Sequence, residues 1–241
     1  MLKINAENMH YKDLNDAVKA SADKDIVIEN SLGHRYIGCG TSGKNISIYG
    51  VPGNALGAYL NNSIITVYAN AQDATGDTMN AGEIIIHGNC GDAAGYGMRN
   101  GKILIKGKAG YRVGIHMKAY QDLQPIMVIG ESTGDFLGEY QAGGKIIVLG
   151  IGSENKCPVG NFCGTGMHGG EIYIRSNIEP QSLPTQVLLK DAVPADIEEI
   201  KPYVEEFCKN FGFNSSEILK DHFYKLTPNT ANPYKQLYVN N

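Results

Sequence analysis

The chain has 241 residues, 42% of them hydrophobic and 19% charged, with a formal net charge of −4. That balance argues against a basic nucleic-acid-binding face, and no apolar run approaches the ~18 residues of a membrane span. Thirty glycines exclude a helical bundle, yet they lack the period of collagen.

The opening MLKINAENMH has no apolar signal region. Cys39, Cys90, Cys157, Cys163 and Cys208 make an odd set without a CxxC pair. Together these predict reduced thiols in a cytoplasmic protein. Next, MHYKDLNDAVKA at 9–20 sets Tyr11, Leu14 and Val18 at helical spacing, and IVIEN at 26–30 reads as a lead-in strand. Residues 1–30 are expected to form an N-terminal cap. GCGTSG at 38–43 matches G-x-G-x-x-G, but a dinucleotide fingerprint needs a strand before it and a helix after it. The following KNISIYG has a strand pattern, so no cofactor is assigned there.

From 31 to 176 the chain repeats itself. Glycines fall at Gly57, Gly76, Gly95, Gly114, Gly138 and Gly164, the first three steps equal at nineteen residues. Four positions earlier stand Gly53, Gln72, Gly91, Gly110, Gly134 and Gly160. Three positions later stand Leu60, Met79, Met98, Met117, Gln141 and Met167. Each repeat ends in a β-branched strand pattern. One column reads Ile46, Ile65, Ile84, Ile103, Ile126, Ile146, Ile172. Two residues on, another reads Ile48, Val67, Ile86, Ile105, Val128, Val148, Ile174. The two-residue offset puts both columns on one face. Ser47, Thr66, His87, Lys106 and Arg175 lie beside them and predict a solvent or partner face. Repeats this short leave no room for a crossover helix. The expectation is an all-β chain: a right-handed parallel β-helix, a single-stranded solenoid of about seven coils with short helical N- and C-terminal caps.

Beyond Ser176 the rhythm stops. Ile197, Ile200, Val204, Phe207 and Phe211 form one helical stripe interrupted by Pro202, which predicts two short helices or a kink. Ser215-Ser216-Glu217 opens a second helical run through Ile218, Leu219 and Phe223, ending near Pro228. Residues 177–241 are expected to be a helical cap and docking arm.

No residue is assigned a catalytic, cofactor-binding or metal-binding role. Asn54, Asp73, Asp92, Tyr111, Asp135 and Asn161 form an Asx-rich column. Neighbouring carboxylates at Asp73 and Asp92 would repel or share a cation; capping by each side chain within its own turn explains the column without a ligand. His116 and His168 flank the methionine column, with Arg99, Arg112 and Lys118 close by in the alignment. These five residues are the candidate partner or phosphate surface, set against ordinary solvated charge. Cys157 and Cys163 share the longest insertion, without metal spacing.

The stretches GDAAGYGMRNG, GYRVGIHMK, GDFLGEYQAGG and GMHGGEIYIR, with NAQD at 70–73, resemble the GXGXG β-helix domain. That domain closes the large subunit of glutamate synthase, and some microbes encode it as a separate chain. The likeness covers about residues 30–176, and a small subunit of formylmethanofuran dehydrogenase has a related repeat. The resemblance implies a scaffold whose structural glycine column is Gly57, Gly76, Gly95, Gly114, Gly138 and Gly164. In glutamate synthase, ammonia from glutamine reaches 2-oxoglutarate at a flavin and iron–sulfur site in other domains. FMN and an iron–sulfur cluster are therefore expected in partner subunits, and neither on this chain. Met1-Leu2 offers no N-terminal cysteine nucleophile, and the five cysteines form no cluster-binding run.

The resemblance thus implies a non-catalytic structural subunit of a glutamate synthase, organising its glutaminase and synthase subunits. No nucleic-acid or membrane partner is expected, and the isolated chain is expected to be able to self-associate. Two alternatives stand. One is the small GXGXG-repeat subunit of a formylmethanofuran dehydrogenase-type oxidoreductase, marked by co-purifying molybdopterin or tungsten. The other is a free-standing carbohydrate-binding or lyase β-helix, against which stands the absence of Trp and of a clustered acid–base set.

Overall fold

Stacked columns of Ile and Val demand that like residues of successive repeats lie side by side, and in the computed structural model they do so as neighbouring strands of one sheet. Residues 1–229 are described; the end of the expected C-terminal arm, 230–241, lies outside them. In chain order the elements are β1 (Leu2–Asn5), α1 (Tyr11–Ala20), β2 (Asp25–Leu32), β3 (Asn45–Val51), β4 (Asn61–Val67), β5 (Ala81–Ile86), β6 (Lys102–Ile105), β7 (Ile126–Ile129), β8 (Ala142–Val148), β9 (Gly169–Arg175), β10 (Val187–Asp191), α2 (Pro194–Phe211), α3 (Ser215–Ile218) and β11 (Phe223–Pro228). Strands β1 to β9 follow one another in parallel; β11 then pairs antiparallel with β9, and β10 with β11.

This corrects the expected all-β, right-handed parallel β-helix of about seven coils with short helical N- and C-terminal caps. The chain forms one open, mostly parallel sheet of eleven strands with three helices among the described residues, an α/β arrangement. The reason lies in the tail. Phe223–Pro228, expected as the end of a helix, is strand β11, because the open edge of β9 supplies a ladder for it. Its side chains then alternate: Leu226 joins the inner core and Phe223 the outer cluster.

The α2 stripe covers the outer side of the sheet. Ile200, Val204 and Phe207 are fully buried against Leu104, Val128, Ile147 and Tyr173. Each such side chain contributes about 1.5–3 kcal/mol on burial. The helix runs unbroken through Pro202, whose position is exposed, so water can satisfy the carbonyl that the proline leaves without a donor. Gly212 ends it in the left-handed region at φ 77. At the other end, α1 lays Leu14 and Val18 over the first strands. The outer face is therefore not one surface. Its first part presents polar residues and a stack of Tyr49, Tyr68 and His87, with ring centroids 4.6 and 5.0 Å apart. Its second part is covered by the chain itself.

One column shifts. Ile103 pairs with Met127 and Ile105 with Ile129, so Met127 and Ile129 face the inner core. Ile126 and Val128, expected inside, face α2 instead. A one-residue slip turns a strand over, and the longer connection before β7 introduces it. Because both faces of β7 are covered, its apolar run IMVI cannot report its own register. No helix among the described residues is long and apolar enough to cross a membrane.

Candidate functional site

Opposite the sheet, the glycine segments stack as turns that bond in both directions. The N–H groups of Gly57, Gly76, Gly95, Gly114, Gly138 and Gly164 each donate to a carbonyl of the preceding turn at 2.7–2.8 Å. Two residues to either side, the N–H groups donate forward: Arg112 to Asp135 O, and His116 to Glu139 O. This alternation sets three positions of each turn in the left-handed region, as in Arg112, Gly114 and His116 at φ 55, 70 and 55.

Only the central position is always glycine, and conformation alone does not explain it. A Cβ at Gly57 would lie 2.7 Å from Ile84 Cδ1, and one at Gly138 would lie 2.6 Å from Ile172 Cδ1. The central position faces the core, whereas the flanking ones accept Ala, Thr, Arg, His, Phe and Tyr at the same φ. Gly38 belongs to this column, nineteen residues before Gly57, with φ 72 and a would-be Cβ 2.7 Å from Ile65 Cδ1. GCGTSG is thus one more turn between two strands, and no helix follows it.

The Asx column caps, but not within its own turn. Asp73 Oδ1 accepts from Asp92 N at 2.9 Å, Asp92 Oδ1 from Tyr111 N at 2.8 Å, and Asp135 Oδ1 from Asn161 N at 2.7 Å. Each carboxylate thus bonds the next repeat. Gly91, Gly110 and Gly160 make room for it, since a Cβ there would collide with the carboxylate oxygen. Asn70 and Asn89 make the same contact with the repeats after them. Among the described residues, no group of three or more His, Cys, Asp or Glu could hold a metal ion.

The five candidate surface residues divide between neighbouring columns. Arg99 and Lys118 occupy one column, their N–H groups donating to Met79 O and Met98 O, and His168 closes it with Nδ1 3.2 Å from Gly166 O. Arg112 pairs with Glu139 at 2.9 Å and lies 5.2 Å from the Phe136 ring centroid. His116 stacks on Tyr140 at 5.1 Å and meets Tyr96 edge-on at 5.8 Å. Phe136 stacks on Phe162 at 5.2 Å. The sequence columns place Phe136 level with Phe162 and His116 level with Tyr140, but ring contact depends on side-chain orientation, which no column reports.

Other titratable groups sit elsewhere. Burial pushes the Cys90 thiol up to about 12 and raises Cys163 further, so both are poor nucleophiles. Between β9, β11 and α2, Lys225 pairs with Glu171 and with Asp196 (2.7 Å), while Lys145 bonds Glu171 and Glu199 at 3.2 and 2.9 Å. Burial alone would lower Lys225, but hydrogen bonds to Asp196, Glu171 and Tyr173 carry it well above the usual lysine range. This network fastens the tail to the sheet.

A parallel sheet faced by stacked glycine turns defines a repeat protein whose regular backbone displays variable side chains. This chain belongs to the GXGXG motif family, which matches residues 25–232. It is similar, at 45% identity over 249 aligned positions, to uncharacterized protein MJ1350 of Methanocaldococcus jannaschii; the match covers 98% of this chain and 95% of that one. Its structure is similar to a chain of the formyltransferase/hydrolase complex (FhcABCD) from Methylorubrum extorquens, solved in complex with methylofuran. There the TM-score is 0.69 and the identity 19%, covering 92% of this chain and 89% of that one. At that identity the likeness is one of fold.

Proposed function

We propose that this chain is the GXGXG-repeat subunit of a formylmethanofuran dehydrogenase-type oxidoreductase complex, a structural component on which other subunits assemble. The observation that carries this reading is the match with one chain of a formyltransferase/hydrolase complex, in which each chain covers about nine-tenths of the other. The shared fold extends over nearly all of that chain, and this supports the reading. It moves the reading away from glutamate synthase, which the sequence resemblance put first. Any pterin, metal or other redox group would reside on partner subunits, and this chain would hold those subunits in position.

The test is purification of the tagged full chain from its native cell, with metal analysis and reconstitution. Molybdenum or tungsten co-eluting in proportion to the chain, and formylmethanofuran oxidation that falls when the chain is depleted, are the expected results. Co-elution with glutamine-dependent glutamate formation overturns the proposal, as does formylmethanofuran oxidation that is unchanged by depletion.

A further inference from the structure

The repeats supply an internal comparison. At the position two before the central glycine, the turns read Ala55, Ala74 and Ala93, then Arg112, Phe136 and Phe162. Two after it they read Tyr59, Thr78, Gly97, His116, Tyr140 and Gly166. All twelve have positive φ, where a bulky side chain is disfavoured and small residues serve the backbone better. Arg112, His116, Phe136, Tyr140 and Phe162 of the later turns, like Tyr59 of the first, are nevertheless large, and several stay at the surface: Tyr140 is 36% and Phe162 47% exposed, beside Tyr96 at 41% and Tyr111 at 53%. Tyrosine, phenylalanine and arginine gathered on a rigid support have the composition of a protein interface.

Beside this ladder stand Arg99 and Lys118, both exposed and one repeat apart. Neither has a carboxylate at ion-pair distance among the described residues. Like charges on neighbouring rungs, ~4.8 Å apart, repel. An anionic partner would relieve that. The nearby Glu139 does not, because it is bonded to Arg112.

We propose that this turn face is a docking surface for an acidic segment of a partner polypeptide, whose carboxylates pair with Arg99 and Lys118 while its chain packs on Tyr96, His116 and Tyr140. The stacked turns hold the five side chains on a fixed backbone, so little ordering is needed on binding. The inference does not depend on which complex the chain joins. Co-elution with glutamate-forming activity would overturn the proposed function and leave this one standing.

The experiment uses the full chain and a short fluorescent peptide alternating glutamate with leucine, read by anisotropy at physiological salt. The wild-type chain is expected to bind it. Arg99→Glu with Lys118→Glu should weaken binding by about fivefold or more, since two pairs become two repulsions. Tyr140→Ala should weaken it independently, and Lys190→Glu on the far strand β10 should not change it. Thermal melting of each variant, all altered at exposed positions, checks folding. Failure of the wild-type chain to bind overturns the proposal. So does equal binding of the glutamine-for-glutamate peptide, or equal binding by the double charge variant. Competition by inorganic phosphate as strong as by the peptide overturns it too, because that would mark a small-anion site.

Discussion

Replacing Gly57 by alanine adds one methyl group at the position where the turn faces the sheet. Two terms oppose it. The backbone holds φ at +63, and the left-handed region costs an L-residue roughly 1–2 kcal/mol, partly offset by about 0.4–1 kcal/mol from the stiffer unfolded chain. The new Cβ would also sit 2.7 Å from Ile84 Cδ1 and 3.3 Å from Ile65 Cδ1, both in fully buried side chains. Overpacking of that kind costs about 1–3 kcal/mol. The expected loss is therefore about 1–4.5 kcal/mol, measured by reversible denaturant unfolding with unchanged slope. Ala74→Gly, at φ 55 on the flank of the next turn, should stay within about 0.5 kcal/mol, because relief of strain and added unfolded-state freedom nearly cancel there. Ile84→Val removes the colliding Cδ1 and costs about 0.5–1.5 kcal/mol alone, yet combined with Gly57→Ala it should recover about 1 kcal/mol relative to the sum. A Gly57→Ala loss below about 1 kcal/mol, or strict additivity with Ile84→Val, would refute the argument that the glycine column exists to clear the core.

Three further outcomes follow from the tail. His222 has both ring nitrogens on acceptors, Ser176 O at 2.8 Å and Asp191 Oδ1 at 2.9 Å. The Ser176 carbonyl, then Asp191, hold its pKa above the ordinary histidine value against partial desolvation. Neighbouring Asp221 is engaged by Arg175. The stabilisation is thus complete below the unfolded pKa of about 6.5 and is lost as pH rises through the raised folded value. Melting curves from about pH 5 to 8 should show that loss in the wild type and not in His222→Gln. Lys225→Met leaves Glu171 with Lys145 as its remaining cation and Asp196 with only the Val193 N–H, and should destabilise by about 1–3 kcal/mol in denaturant titrations; a neutral result would mean that Lys225 adds nothing to tail docking. Phe207→Ala empties the centre of the outer cluster and should cost about 3–5 kcal/mol, with faster hydrogen exchange in α2 than in β3 or β4.

The amino-acid sequence determined the repeat itself: nineteen-residue steps, β-branched columns and a glycine at one point of every turn. Those are local facts, set by which side chains fit a pleated face and by where a Cβ is tolerated. It also disclosed α1, whose Leu14 and Val18 repeat at helical spacing within one element. Three matters needed the tertiary structure. The side of β7 that faces the core was decided by its pairing with β6, since both of its faces are apolar. The tail became α2 between two antiparallel strands because the edge of β9 and the bare outer face offered partners that no window of the tail contains. The aromatic ladder needed the stacked turns, because aligned columns place Tyr96, His116 and Tyr140, and Phe136 and Phe162, near one another but do not set the side-chain orientations that bring their rings into contact.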